Sequence, residues 1–306
     1  MKGLVIKSTG SWYNVRAEDG QIYQCRIVGK FRIKDIKTTN PIAVGDIVTF
    51  EFEKDSTNGL ITALTPRKNY IIRKSINLSK QAQIIAANLD QAFLVVTLAS
   101  PRTSLGFIDR FLATAEAYSV PSCLIFNKID LFDAEGLEII QIYRSIYENI
   151  GYPCYTVSAT EGTNISQIQE LLKDKVTLFS GHSGVGKSSL INALLPEMGI
   201  KTGEISEWSS KGQHTTTFAE MHLLPQGGYI VDTPGIRELG VIDIDKEELG
   251  HFFREIFTYS DGCRFNNCKH IHEPGCAVVE GVENGEIAVS RYESYLSIYH
   301  GNDTRG

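Results

Sequence analysis

Gly181-His182-Ser183-Gly184-Val185-Gly186-Lys187-Ser188-Ser189 follows the apolar run Val176-Thr177-Leu178-Phe179 and leads into Leu190-Ile191-Asn192-Ala193-Leu194-Leu195. Gly-x4-Gly-Lys-Ser between a strand and a helix is the pattern of a loop that cradles phosphate. Its glycines let the backbone wrap round a phosphate chain with the N–H groups inward, and the helix N-terminus adds a favourable dipole. Lys187 is placed to neutralise charge on the β- and γ-phosphates, which makes it a catalytic as well as a binding candidate. The Ser188 hydroxyl is a candidate Mg²⁺ ligand. A glycine-rich turn with a chance lysine is the competing reading, and the flanking strand and helix argue against it.

Working outward, Asn127-Lys128-Ile129-Asp130 follows the apolar run Leu124-Ile125-Phe126, and Ser158-Ala159-Thr160 follows Tyr155-Thr156-Val157. A carboxylate at Asp130 that accepts from both the ring N–H and the exocyclic amine selects guanine over adenine. Asn127 can bond the purine edge or brace the phosphate loop, the Lys128 stem can cover the base, and Ser158-Ala159 can offer backbone N–H groups to the guanine carbonyl. Tyr229-Ile230-Val231 runs into Asp232-Thr233-Pro234-Gly235. There Asp232 is expected to hold Mg²⁺ through water, and Gly235 to offer its N–H to the γ-phosphate. Gly212-Gln213-His214-Thr215-Thr216-Thr217 stands between the two as a switch loop; Thr217 or Thr216 is the candidate second Mg²⁺ ligand.

The order of these pieces is unusual. Ras-like GTPases run phosphate loop, switch, Asp-x-x-Gly, Asn-Lys-x-Asp, then Ser-Ala. Here the base-reading pair precedes the phosphate loop, which a circularly permuted sheet explains because the ends of such a domain lie near each other. The residue after Gly235 is Ile236, which cannot orient water as the Ras glutamine does. His214 is the candidate replacement, with packing or partner contact as its other reading. Strands alternating with helices from about residue 85 imply a parallel sheet flanked by helices.

Upstream, residues 1–65 read as five short strands with turns at Asp19-Gly20, Gly45-Asp46 and Asn58-Gly59. They predict an all-β barrel of OB type, although length and strand count also suit an SH3-like barrel. Residues 1–74 hold 13 Lys/Arg against 7 Asp/Glu, and the rest of the chain 17 against 29, so the net charge of −6 conceals a basic N-terminal part. Phosphate-backbone contact would fall mainly there, unless the barrel is merely Lys-rich and solvated. The stretch Thr65–Lys74 reads as a basic linker, giving domains 1–68, 69–240 and 241–306. No apolar run reaches the roughly 18 residues of a membrane span, and no signal pattern opens the chain, so a cytoplasmic protein without a membrane partner is expected.

Downstream, Cys263-x4-Cys268-x-His270-x5-Cys276 offers three thiolates and an imidazole within fourteen residues. That set suits one closed, structural Zn²⁺ site in a helical C-terminal domain, and the short segment carrying it is too poor in apolar residues to fold unaided. His272 competes with His270, and a disulfide would leave one of the three cysteines unpaired. Cys25, Cys123 and Cys154 sit singly in apolar contexts and read as core.

Taken together, these residues resemble the RsgA (YjeQ) family, bacterial GTPases of small ribosomal subunit biogenesis. The likeness covers nearly the whole chain: barrel, permuted GTPase domain and Cys/His finger. It implies GTP/GDP as ligands, contact with the 30S subunit and its 16S rRNA near the decoding region, and ribosome-stimulated hydrolysis that times release late in maturation. The histidine at the position of His214 is tied to hydrolysis in that family. A protein that is monomeric when free is expected. Gln213 and the non-basic tail Tyr299–Gly306 depart from the pattern, leaving the barrel more of the ribosome contact. The alternative is a GTP-gated RNA-binding module whose occupancy, rather than hydrolysis, controls docking.

Overall fold

In a computed structural model, residues 1–27, 41–53, 56–74, 82–196, 219–232 and 245–301 are described. Strands β1 (Lys2–Ser8), β2 (Tyr13–Ala17), β3 (Ile22–Ile27), β4 (Ile47–Phe52) and β5 (Gly59–Leu64) form the barrel. The order β1-β2-β3-β5-β4 closes through β4 back onto β1, and only β3–β5 is parallel. That closed five-strand order, with one parallel pair, resolves the sequence alternatives in favour of the OB type. Period-two burial drives it: Val5, Tyr13, Val15, Val48, Phe50 and Ile61 point into one core and are at most 1% exposed.

The stretch read as a linker contains the first strand of a hairpin. β6 (Tyr70–Lys74) pairs antiparallel with β7 (Ala82–Ala87), with Ile71 opposite Ala86. The charged flanks of Tyr70-Ile71-Ile72 hid a strand whose Ile71 is fully buried. The hairpin fastens the barrel: Ala87 N–H donates to the Val44 carbonyl at 2.9 Å, and Asn88 Nδ2 to the Gly45 carbonyl at 2.9 Å.

The central sheet follows as β8 (Gln91–Val96), β9 (Ser122–Phe126), β10 (Cys154–Thr156), β11 (Val176–Ser180), β12 (Glu220–Leu223) and β13 (Tyr229–Asp232). Its order is β10-β9-β8-β11-β13-β12, parallel except for β12. Both faces are covered, so β8 and β9 are continuous apolar runs rather than alternating ones. Helices α1 (Leu105–Ala117), α2 (Ala134–Glu148), α3 (Ile165–Leu172) and α4 (Lys187–Leu194) flank it. Ser104 caps α1 and Asp133 caps α2, each side chain accepting a backbone N–H of the first turn. β12 reaches the barrel through the Lys7–Glu220 pairing, reinforced by a 2.8 Å ion pair between those side chains.

The chain ends in α5 (Arg254–Ser260), α6 (Ala277–Glu283) and α7 (Val289–His300). These pack Leu249, Phe253, Ile256, Val278, Ile287 and Tyr295 together with Ala113 of α1. Among the described residues no helix is long and apolar enough to cross a membrane.

Candidate nucleotide site and Cys/His cluster

β11 lies buried between β8 and β13, and Val185, Leu190, Ile191 and Leu194 anchor the loop and α4 into the core beneath. The loop between them bends at Gly181 (φ +144°) and Gly186 (φ +90°). A Cβ on Gly181 would stand 2.3 Å from the Val95 carbonyl oxygen, and one on Gly186 would stand 2.4 Å from Asn127 Nδ2. Neither position has room for a side chain. Lys187 Nζ donates to the His182 carbonyl at 2.9 Å and also to that of Gly181. Ser188 and Ser189 are half-buried in the first turn of α4, Ser183 and Gly184 are exposed at the loop tip, and His182 is half-buried beside them.

Asn127 joins the separated motifs. Its buried amide donates Nδ2 to the Val185 carbonyl at 2.9 Å and accepts the Ala159 N–H on Oδ1 at 3.2 Å. Of the two roles open to it in the sequence, the structure displays the brace. Lys128 turns the chain at the end of β9 with φ +64°, a conformation costly for a side-chain-bearing residue. Its Nζ donates to the Ser100 carbonyl at 2.7 Å. Ile129 and Asp130 occupy a short 3-10 turn, Ile129–Leu131, with Asp130 exposed. The Ser158 hydroxyl donates to Asp130 Oδ1 at 2.5 Å and accepts the Glu161 N–H at 3.1 Å, so the two base-reading loops are tied together.

Asp232 closes β13, the strand beside β11. His214, Thr217 and Gly235 lie outside the described residues. Two contacts carried no sequence signal: Ser100 receiving Lys128, and Phe107 of α1 stacked on the His182 ring with centroids 3.7 Å apart.

In the C-terminal unit the ligand atoms of Cys263, Cys268, His270 and Cys276 all lie within 4.8 Å of one another. His270 Nδ1 is 3.5 Å from the sulfurs of Cys263 and Cys276, which are 3.9 Å apart. Bonds of zinc length in a tetrahedron imply ligand separations of about 3.6–3.8 Å, so this donor set could hold such an ion. His272 is exposed and outside the cluster. Tyr292 donates its hydroxyl to the His270 carbonyl at 2.7 Å, and Tyr295 to the Lys269 carbonyl at 2.8 Å. Burial pushes the Cys268 thiol up to about 12, so a thiolate here requires a cation beside it. Burial alone would raise Glu273 as well. Instead the N–H groups of Ile271, Lys269 and His272 hold that carboxyl down at about 2, pinning the loop.

The RsgA GTPase family model matches residues 64–242, and the model of the RsgA N-terminal domain matches residues 2–61. This chain belongs to the RsgA GTPase family. It is therefore a GTPase, a hydrolase acting on GTP. A small ribosomal subunit biogenesis GTPase RsgA of Bacteroides fragilis is 55% identical over 298 residues, covering 97% of this chain and 96% of that one. A protein of the same description from Flavobacterium psychrophilum is 52% identical over 305 residues, covering 99% and 94%. Among solved structures, YjeQ from Thermotoga maritima aligns with a TM-score of 0.79 and 38% identity, covering 100% of this chain and 99% of that one. YloQ, described as a circularly permuted GTPase, gives 0.77 and 34%, covering 100% and 96%. The permutation inferred from motif order is thus the family's architecture, and the RsgA fold brings residues 127, 158–159 and 185 together despite their reversed sequence.

Proposed function

We propose that this RsgA-family GTPase acts on the small ribosomal subunit late in its assembly, and that contact with the 30S particle stimulates the hydrolysis that times its release. The observation that carries the nucleotide reading is the Asn127 brace, which ties the phosphate loop to the two base-reading loops. The relatives' common description supports the ribosomal setting. Three units are inferred, 1–68, 69–240 and 241–306, in a protein that is monomeric when free and cytoplasmic.

In this reading the backbone N–H groups of residues 181–189 cradle the phosphates, and Lys187 exchanges the Gly181 and His182 carbonyls for phosphate oxygens. Asp130 accepts from the guanine ring N–H and amine, and Ala159 donates to its carbonyl. Ser188, Asp232 and either Thr217 or Thr216 are the residues that would hold Mg²⁺, which would supply neutralisation of charge on the phosphates. Gly235 donates to the γ-phosphate. His214 orients the water that attacks the γ-phosphorus; the bond to the bridging oxygen breaks, leaving GDP and phosphate. Cys263, Cys268, His270 and Cys276 would hold one Zn²⁺ whose part is structural. The basic barrel contacts 16S rRNA.

The test is GTP turnover measured against 30S concentration across a salt series. Turnover should rise to a plateau, with the half-saturating 30S concentration increasing steeply with salt as counterion release is lost. Turnover indifferent to 30S, with GTP binding intact, would overturn the reading.

A further inference from the structure

Helix α1 is shared between two units. Ile108, Phe111, Leu112 and Ala115 pack into the core of the parallel sheet. Asp109, Ala113 and Glu116, at i, i+4 and i+7, line another face, which the C-terminal unit covers. Ala113 is 1% exposed within that unit's own core. Arg291 of α7 donates Nη1 to Asp109 Oδ1 at 2.7 Å, and Nε and Nη2 to Glu255 at 2.7 and 3.2 Å. Tyr147 of α2 completes the knot with a 2.9 Å hydrogen bond to the same Asp109 oxygen. Two turns on, Arg254 of α5 donates Nε to Glu116 Oε1 at 2.8 Å while lying 3.9 Å over the Tyr152 ring.

The first turn of α1 meets the phosphate loop. Phe107 stacks on the His182 ring, 3.7 Å between centroids and 34° between planes. The carbonyl of that same histidine is one of the two that take the Lys187 ammonium. Phe107 and Asp109 are two residues apart on one helix, about 3 Å along its axis, so a displacement at one is a displacement at the other. The path runs from Glu255 through Arg291 to Asp109 by ion pairs, along the helix backbone to Phe107, and by its ring to His182, whose carbonyl takes Lys187.

We propose that α1 couples the C-terminal unit to the phosphate loop, with Phe107 as a positioning residue that sets the loop through the His182 ring. Arg291 and Arg254 set Phe107 in turn by fixing the other face of the same helix. A partner that loads the C-terminal unit thereby alters how tightly the phosphate loop grips its nucleotide, by a path that does not pass through residues 212–217. The idea rests on the reading of 181–189 as the phosphate loop. Its physical basis is a contiguous path made of buried ion pairs at Arg291, the helix itself, one ring contact and a hydrogen bond to a backbone carbonyl.

The test is stopped-flow release of a fluorescent GDP from the full-length protein. Phe107→Ala should speed release about three- to tenfold, the range expected for losing one aromatic pair. Phe107→Tyr, which keeps the ring, should restore the wild-type rate. Glu116→Gln, at the half-exposed margin of the interface, should also speed release, yet add nothing in the Phe107→Ala background. Should Phe107→Ala fail to fold, Phe107→Leu serves as the ringless variant. The coupling is refuted if Glu116→Gln leaves release unchanged, or if the double variant shows the product of the two effects. A wild-type protein that fails to retain the fluorescent GDP would instead refute the phosphate-loop reading, so the two failures are distinguishable.

Discussion

The proposed guanine reader is one exposed carboxylate held in place by a hydroxyl. Asp130 sits in a single 3-10 turn, and the Ser158 hydroxyl fixes one of its oxygens at 2.5 Å. An asparagine at position 130 could still accept from Ser158, so Asp130→Asn should leave the loop in place while reversing the pattern shown to the base. Losing two charge-assisted hydrogen bonds costs about 3 kcal/mol, or on the order of a hundredfold in GTP affinity. Xanthine nucleotides, with a carbonyl where guanine has its amine, should gain. Competition of GTP and XTP against labelled GDP measures this, and a variant that still prefers guanine would disprove the assignment. Residues of this kind were legible in the sequence because their chemistry is local: Gly186 announces a backbone with no room for a side chain, and Asn127 announces an amide beside it. Phe107 was not legible, because its role depends on where the first turn of a helix arrives seventy-five residues ahead of the loop it touches.

At the scale of elements, composition misled where burial decides. Arg67 entered the sequence reading as part of a basic linker. In the fold it fastens the segment between β5 and β6 to the residues ahead of β4, donating Nε and Nη2 to Asp46 at 2.7 and 2.6 Å and Nη2 to the Pro41 carbonyl at 2.8 Å. Its side chain is 6% exposed and that of Asp46 is fully buried. Lys7, Arg26 and Lys68 are likewise engaged, with Glu220, Glu53 and Asp90. Glu220 and Asp90 lie outside residues 1–74 and offset part of that segment's positive excess, and charge counts alone cannot separate a solvated lysine from a buried guanidinium. Arg67→Met would strand the Asp46 carboxylate without its partner, a change that costs about 3–5 kcal/mol. Urea unfolding should show a loss of that size, and Asp46→Leu added to Arg67→Met should recover much of it. A single variant within about 0.5 kcal/mol of wild type would show that the pair is not structural. The barrel strands themselves were legible because period-two alternation survives in Tyr13-Asn14-Val15-Arg16-Ala17; the hairpin was not, since only Tyr70-Ile71-Ile72 betrays it.

Across the described residues of the whole molecule, the C-terminal unit is the one in which a cluster of metal-ligating side chains stands beside the apolar core. Its helices are short, of 7, 7 and 12 residues, and the loop between the first two is organised by the four ligand side chains, the Glu273 carboxylate and the hydroxyls of Tyr292 and Tyr295. A metal binding free energy on the order of 10 kcal/mol is comparable to the stability of an entire domain, so a zinc ion held here would be enough to decide whether this unit is folded. The unit also seals Arg291 against Asp109 and Glu255, and those charges would be hydrated if it came loose. Chelation at neutral pH should therefore release one equivalent of Zn²⁺ and deprotect the amides of α7 and then of α1, while the strands of the barrel keep their protection in hydrogen exchange. Because the freed thiolates take up protons, metal affinity should fall as pH falls, and less chelator should be needed once the chelator's own protonation is allowed for. Cys276→Ser should reproduce the exchange pattern without chelator. Unchanged protection in α7 after complete metal loss would mean that the helices hold the unit together unaided; protection lost evenly across all three units would mean that the metal stabilises the molecule as a single cooperative body.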